Sequence, residues 1–166
     1  MLRGFWIAGV SLLLVIGAVL VGSGRERSVR QPIQFNHAKH KAAGLECSFC
    51  HQGVDGQAFA GLPPLETCAI CHTAPMTESA EEAKLATLIV KGEPVPWQRL
   101  YGLAPHVFFS HRRHLQLAQL ECKTCHGPIE DATTPPVRPA VKHSMKWCMS
   151  CHEQRGASLD CMACHR

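Results

Sequence analysis

The chain is poor in the residues that build an ordinary core: of 166 residues one is tyrosine, six are phenylalanine and three tryptophan. Its 46 % hydrophobic content is inflated by one apolar run from Phe5 to Val21. With that run set aside about 140 residues remain, too poor in apolar side chains to enclose a sizeable core unaided. No cysteine lies near the run to be lipidated, and no Ala-x-Ala cleavage pattern follows it. Arginine-aromatic interleaving is also missing, so the formal charge of +4 carries no nucleic-acid reading.

All ten cysteines fall in five Cys-x-x-Cys-His motifs: Cys47/Cys50/His51, Cys68/Cys71/His72, Cys122/Cys125/His126, Cys148/Cys151/His152 and Cys161/Cys164/His165. Two thiols and an adjacent histidine are the attachment signature of c-type haem, the thiols forming thioethers and the histidine taking one side of the iron. Five covalent haems leave roughly 28 residues each, too few for separate domains, so the haems must pack together and act as most of the core. Folding should then be coupled to attachment, as metal binding is in small metal domains. Ten ionised propionates would turn the net charge to about −6. The fold class expected is mostly irregular, with short α-helices wrapped around a close-packed haem array and one N-terminal transmembrane helix.

The apolar run of about 17 residues sits at the lower edge of a membrane span and the upper edge of a signal-peptide core. Arg3 before it and Arg25 and Arg27 after it bracket the ends of a span, which favours an uncleaved anchor over residues 1–24, with a removed signal peptide as the alternative. The flanking charges do not orient it. Covalent haem attachment does, because it takes place on the outer side of a bacterial membrane. Residues 25–166 are therefore expected on the periplasmic face as one pentahaem domain, with haem clusters at 35–76 and 105–166. A helix near 79–91 bridges them: Ser79 and Glu82 are spaced as a capping box, Leu85, Leu88 and Ile89 form a stripe, and Gly92 stops it. Pro94-Val-Pro96-Trp97 is too stiff to continue it and is expected across the surface or against a haem edge.

Each cluster opens with one phrase, Phe35-Asn-His37-Ala-Lys-His40 and Phe109-Ser-His111-Arg-Arg-His114. Its recurrence at nearly fixed distance from a motif points to a duplicated module. Eleven histidines include five in the motifs, leaving His37, His40, His106, His111, His114 and His143 for the distal faces. Side chains at i and i+3 emerge on one side of a helical turn, so each His-x-x-His pair should serve two different irons and fix their separation. For the fifth distal position Met145 is preferred, with His106 and His143 as alternatives; a thioether there would raise one potential. Met76, Met149 and Met162 are expected to pack on porphyrin.

Together these residues resemble the pentahaem, membrane-anchored cytochrome subunit of alternative complex III, a bacterial quinol oxidoreductase. The match runs from Gln31 to about residue 154 through Phe35, His37 and His40, Cys71-His72-Thr73, Pro94-Val-Pro96-Trp97-Gln-Arg99, Val107 to His111 with His114, Cys122 to Gly127, and Met145-Lys-Trp147 to His152. The resemblance implies electron transfer to a periplasmic cytochrome or oxidase, without catalysis by this subunit. Its implied partners are an integral quinol-binding membrane subunit, an iron-sulfur and molybdopterin-enzyme-like subunit, and a monohaem cytochrome c or terminal oxidase. It also favours Met145 as the methionine ligand. The last motif, crowded against Arg166, and the compact region before Phe35 depart from the pattern and leave room for a related quinone-linked complex.

Four other readings compete. A stand-alone anchored quinol dehydrogenase shares length and anchor, but the duplicated phrase and five motifs rather than four weigh against it. A soluble periplasmic shuttle would follow from cleavage of the leader. Catalysis at an open haem meets more distal candidates than irons, and zinc binding leaves the adjacent histidines unexplained.

Overall fold

The computed structural model describes residues 28–165; the anchor expected over residues 1–24 lies outside them. Among the described residues no helix is long and apolar enough to cross a membrane. The described residues form seven short α-helices and no strand: α1 His37–Ala42, α2 Cys47–Cys50, α3 Leu65–Ala69, α4 Ala80–Lys91, α5 Lys123–His126, α6 Met145–Gln154 and α7 Cys161–Cys164. A wide π-type turn spans Arg113–Leu117 and a 3-10 turn Ile129–Asp131. One isolated antiparallel bridge joins Val107 to His165.

Helix α4 has the expected position, with a different cap. Ser79 accepts from Glu81 N at 3.3 Å, and Glu82 turns away to the loop before it, accepting from Met76 N at 2.8 Å and Thr77 N at 2.8 Å. A carboxylate four times in demand cannot also close a capping box. Gly92 ends the helix in the left-handed region at φ 65°, where Glu93 N donates to Leu88 O at 3.0 Å.

Packing is sparse. Ile33 from the extended approach, Leu85 from α4 and Val95 are the buried hydrophobic residues, with Leu65, Cys68, Leu88, Ile89 and Trp97 against them. The Pro94–Trp97 segment thus closes a small core and does not simply cross the surface: two prolines hold it extended, which aims Val95 inward. Gln31 and Gln98 lock it to the approach by reciprocal hydrogen bonds of 2.7 and 3.0 Å. The two clusters meet where Ala38 N donates to Ala132 O at 3.1 Å. Lys41 and Asp131 add an ion pair at 3.0 Å that is more than half exposed on both sides, so it contributes little.

Gly127, directly after the third motif, has φ 67° and ψ −172°, a conformation open in practice to glycine alone. A Cβ there would lie 2.8 Å from Ala140 Cβ. Replacement of Gly127 by alanine is expected to destabilise the protein by about 1–3 kcal/mol, read as a lower Tm; an unchanged melting curve would show that the turn relaxes freely.

Candidate haem-binding sites

The repeated phrase folds twice into one geometry. Phe35 lies edge-on to His37 (4.7 Å, 82°) and stacks on His40 (4.3 Å, 26°); Phe109 does the same to His111 (4.9 Å, 89°) and His114 (4.5 Å, 26°). One helical turn sets both histidines on the same side of the phenylalanine, so a single ring braces two imidazoles.

Across from these sit the motif histidines. His40 faces His72 at 6.2 Å between ring centroids, and His114 faces His152 at 6.1 Å. His111 is nearly parallel to His126 at 6.4 Å and 10°. His51 lies close enough to His37 that, after burial itself, its charge is the main influence lowering the His37 pKa. His106 stacks on His165 at 5.5 Å, with Phe108 N donating to Cys164 O at 2.7 Å beside the Val107 bridge. Two iron–nitrogen bonds of about 2.0 Å, with each ring centre about 1 Å farther back, put ligating imidazoles roughly 6 Å apart. Three pairs match this spacing and the fourth is about half an ångström tighter.

Hydrogen bonds select the nitrogen left over. Nδ1 is within 2.7–2.9 Å of a backbone oxygen in His40 (Asn36 O), His51 (Gly61 O), His111 (Ala58 O), His114 (Ser110 O) and His152 (Ser158 O). A carbonyl only accepts, so Nδ1 carries the proton and Nε2 keeps its lone pair for a metal. His72 reaches the same state with a carboxylate, Glu82 Oε1, at 2.9 Å. His37 Nδ1 and Trp97 Nε1 are buried polar atoms with no hydrogen-bond partner among the described residues.

The remaining sequence candidates fall elsewhere. His143 spends Nε2 on Cys125 O at 3.0 Å; its ring stacks on Tyr101 and lies edge-on to His126, which makes it a buttress of the third motif. Burial, then His143 and His111, push the His126 pKa down to about 4. Met145 stands at the first turn of α6, 64 % exposed, while His106 is the residue seated on His165. Met76 and Met162 are likewise exposed, and Met149 is half-buried.

The thiols lie in neighbouring sets. Burial raises the pKa of Cys68, Cys122, Cys125 and Cys148, and in each a thiol of another motif adds to it: Cys50 for Cys68, Cys47 for Cys122, Cys151 and Cys148 for Cys125, and Cys164 for Cys148. These contacts set the second motif near the first, the first near the third, the third near the fourth and the fourth near the fifth. Facing imidazoles, free Nε2 atoms and paired thiols fit c-type haem.

Sequence reasoning missed Glu82 as a partner of His72, reading it as a cap. It also missed Tyr101, whose hydroxyl accepts from Ala140 N at 3.0 Å while its ring meets His126 edge-on at 4.6 Å. Nothing local marks either residue, since both act across a turn or a loop.

Comparison with known proteins gives the kinship. Residues 107–166 match the family described as cytochrome c7 and related cytochrome c, and residues 20–93 match the class III cytochrome c family. The high-molecular-weight cytochrome c of Nitratidesulfovibrio vulgaris (Hildenborough) is 26 % identical over 176 residues, covering 87 % of this chain and 32 % of that longer protein. The menaquinone reductase multihaem cytochrome c subunit of the same organism is 33 % identical over 161 residues, covering 82 % of this chain and 77 % of the relative. A likeness sustained along most of both chains, on a scaffold whose histidines face one another at ligand spacing, means that this chain belongs to the multihaem cytochromes c.

Proposed function

We propose that the chain is the five-haem electron-transfer subunit of a membrane quinone-linked complex, anchored by residues 1–24 with its haem domain on the outer face of the bacterial cytoplasmic membrane. The observation that carries this reading is the pairing of each motif histidine with a second histidine: His51 with His37, His72 with His40, His126 with His111, His152 with His114 and His165 with His106. Bound through the ten cysteines, each haem supplies a one-electron couple. The polypeptide holds the ligands, fixes neighbouring sites one helical turn apart and shields them; no side chain is needed as nucleophile or general base.

Membership of a quinone-linked complex is supported by the relative named as a menaquinone reductase subunit, and that relative weighs against a stand-alone dehydrogenase. Alternative complex III is the form suggested by the residue pattern. Its partners would be an integral quinol-binding membrane subunit, an iron-sulfur and molybdopterin-enzyme-like subunit, and a monohaem cytochrome c or terminal oxidase.

Purification from native membranes in mild detergent tests this, with haem quantified per chain and the co-migrating subunits identified by mass spectrometry. Five haems with a polytopic quinone-binding subunit are expected. A cytochrome that leaves the membrane alone, or carries fewer haems, would overturn the reading.

A further inference from the structure

The motif histidines are not equally served. His51 and His152 place Nδ1 at neutral backbone oxygens, Gly61 O at 2.8 Å and Ser158 O at 2.7 Å. His72 places it 2.9 Å from Oε1 of Glu82. That carboxylate is 9 % exposed and held from the far side, Oε1 accepting also from Met76 N at 2.8 Å and Oε2 from Thr77 N at 2.8 Å and the Thr77 hydroxyl. It cannot swing away to water, and its one ion-pair contact among the described residues is His72.

A full negative charge on the carboxylate that holds Nδ1 draws its proton and makes the opposite Nε2 a stronger donor than that of a carbonyl-bound imidazole. Stronger donation favours ferric over ferrous iron. Resting on the haem-binding reading above, we propose that Glu82 is a positioning residue that gives the second motif, Cys68–His72, the lowest reduction potential of the five.

The test uses the whole protein purified from membranes, wild type beside Glu82→Gln, Glu82→Asp and Thr77→Val, each followed by spectropotentiometric titration. Glu82→Gln is expected to raise the lowest midpoint by about tenfold in its reduction equilibrium, 59 mV for one electron, and to leave the other four in place. Glu82→Asp should restore much of the wild-type value. Thr77→Val loosens the same loop but leaves the carboxylate on His72, so a merely structural role predicts the same upward shift, and charge predicts none. An unmoved lowest midpoint in Glu82→Gln, or an equal rise in Thr77→Val, overturns the inference. Should Glu82→Gln fail to accumulate, proton NMR of partly reduced wild-type protein identifies the last haem to be reduced; assignment to any motif but the second also overturns it. A wild-type protein without a low-spin haem at the second motif would instead overturn the haem-binding reading beneath it.

Discussion

A chain that never receives haem is expected to have no cooperative melting transition and a far-ultraviolet circular dichroism spectrum dominated by coil, while the mature protein unfolds cooperatively. Among the described residues the polypeptide's own core consists of Ile33, Leu85 and Val95, each worth about 1.5–3 kcal/mol on burial. Against this stands a backbone ordering cost of about 1–2 kcal/mol for every residue fixed. No described side chain is less than 2 % exposed, and Phe59, Ile70 and Met162 stand 72 %, 66 % and 66 % exposed, as residues awaiting an apolar partner would. Helices give no independent support: α2, α5 and α7 have four residues each, and helices shorter than about 12 residues are marginal in water. Expression without the attachment machinery, followed by thermal dichroism and hydrogen exchange, decides the matter. A sharp transition with native helix content would show that packing by the polypeptide alone is sufficient.

Replacement of His106 by alanine is expected to turn one haem high-spin while the others remain low-spin. Replacement of Met145 by leucine should leave the haem spectra unchanged. His106 stacks on His165 at 5.5 Å and is held there by the Phe108 N to Cys164 O hydrogen bond and the Val107 bridge. Met145 is mostly exposed at the first turn of α6. Electron paramagnetic resonance of the oxidised protein, with haem content measured in parallel, reads the result. If Met145→Leu produces the high-spin signal and His106→Ala does not, the methionine is the ligand and the His106 stack is packing.

Much of the site was legible because its chemistry is written in consecutive residues. The five motifs and the two His-x-x-His phrases carry their spacing with them, and the 3.6-residue turn predicts that each pair serves two sites. Helix α4 could be read from Leu85, Leu88, Ile89 and Gly92 for the same reason. What could not be read depends on contacts made over long stretches of chain. His106 meets His165 through a bridge between segments nearly sixty residues apart in sequence. Met145 was preferred for its place three residues before Cys148 and for the family resemblance, neither of which reports that its side chain stands mostly exposed. Glu82 looked like a cap because capping uses the same residue at the same offset; only the fold of Thr73 to Ser79 brings His72 and Thr77 round to claim it. His143 shows the converse, a histidine whose ring nitrogen is committed to a backbone carbonyl that sequence cannot locate.

The shared phenylalanine makes growth of such a chain uneven. Because Phe35 braces both His37 and His40, and Phe109 both His111 and His114, loss of one imidazole disturbs the footing of its neighbour, and sites are gained or lost most cleanly in twos. Among the described residues the His106–His165 pair lies outside both braces, so a change there would leave the footing of the other four distal histidines undisturbed.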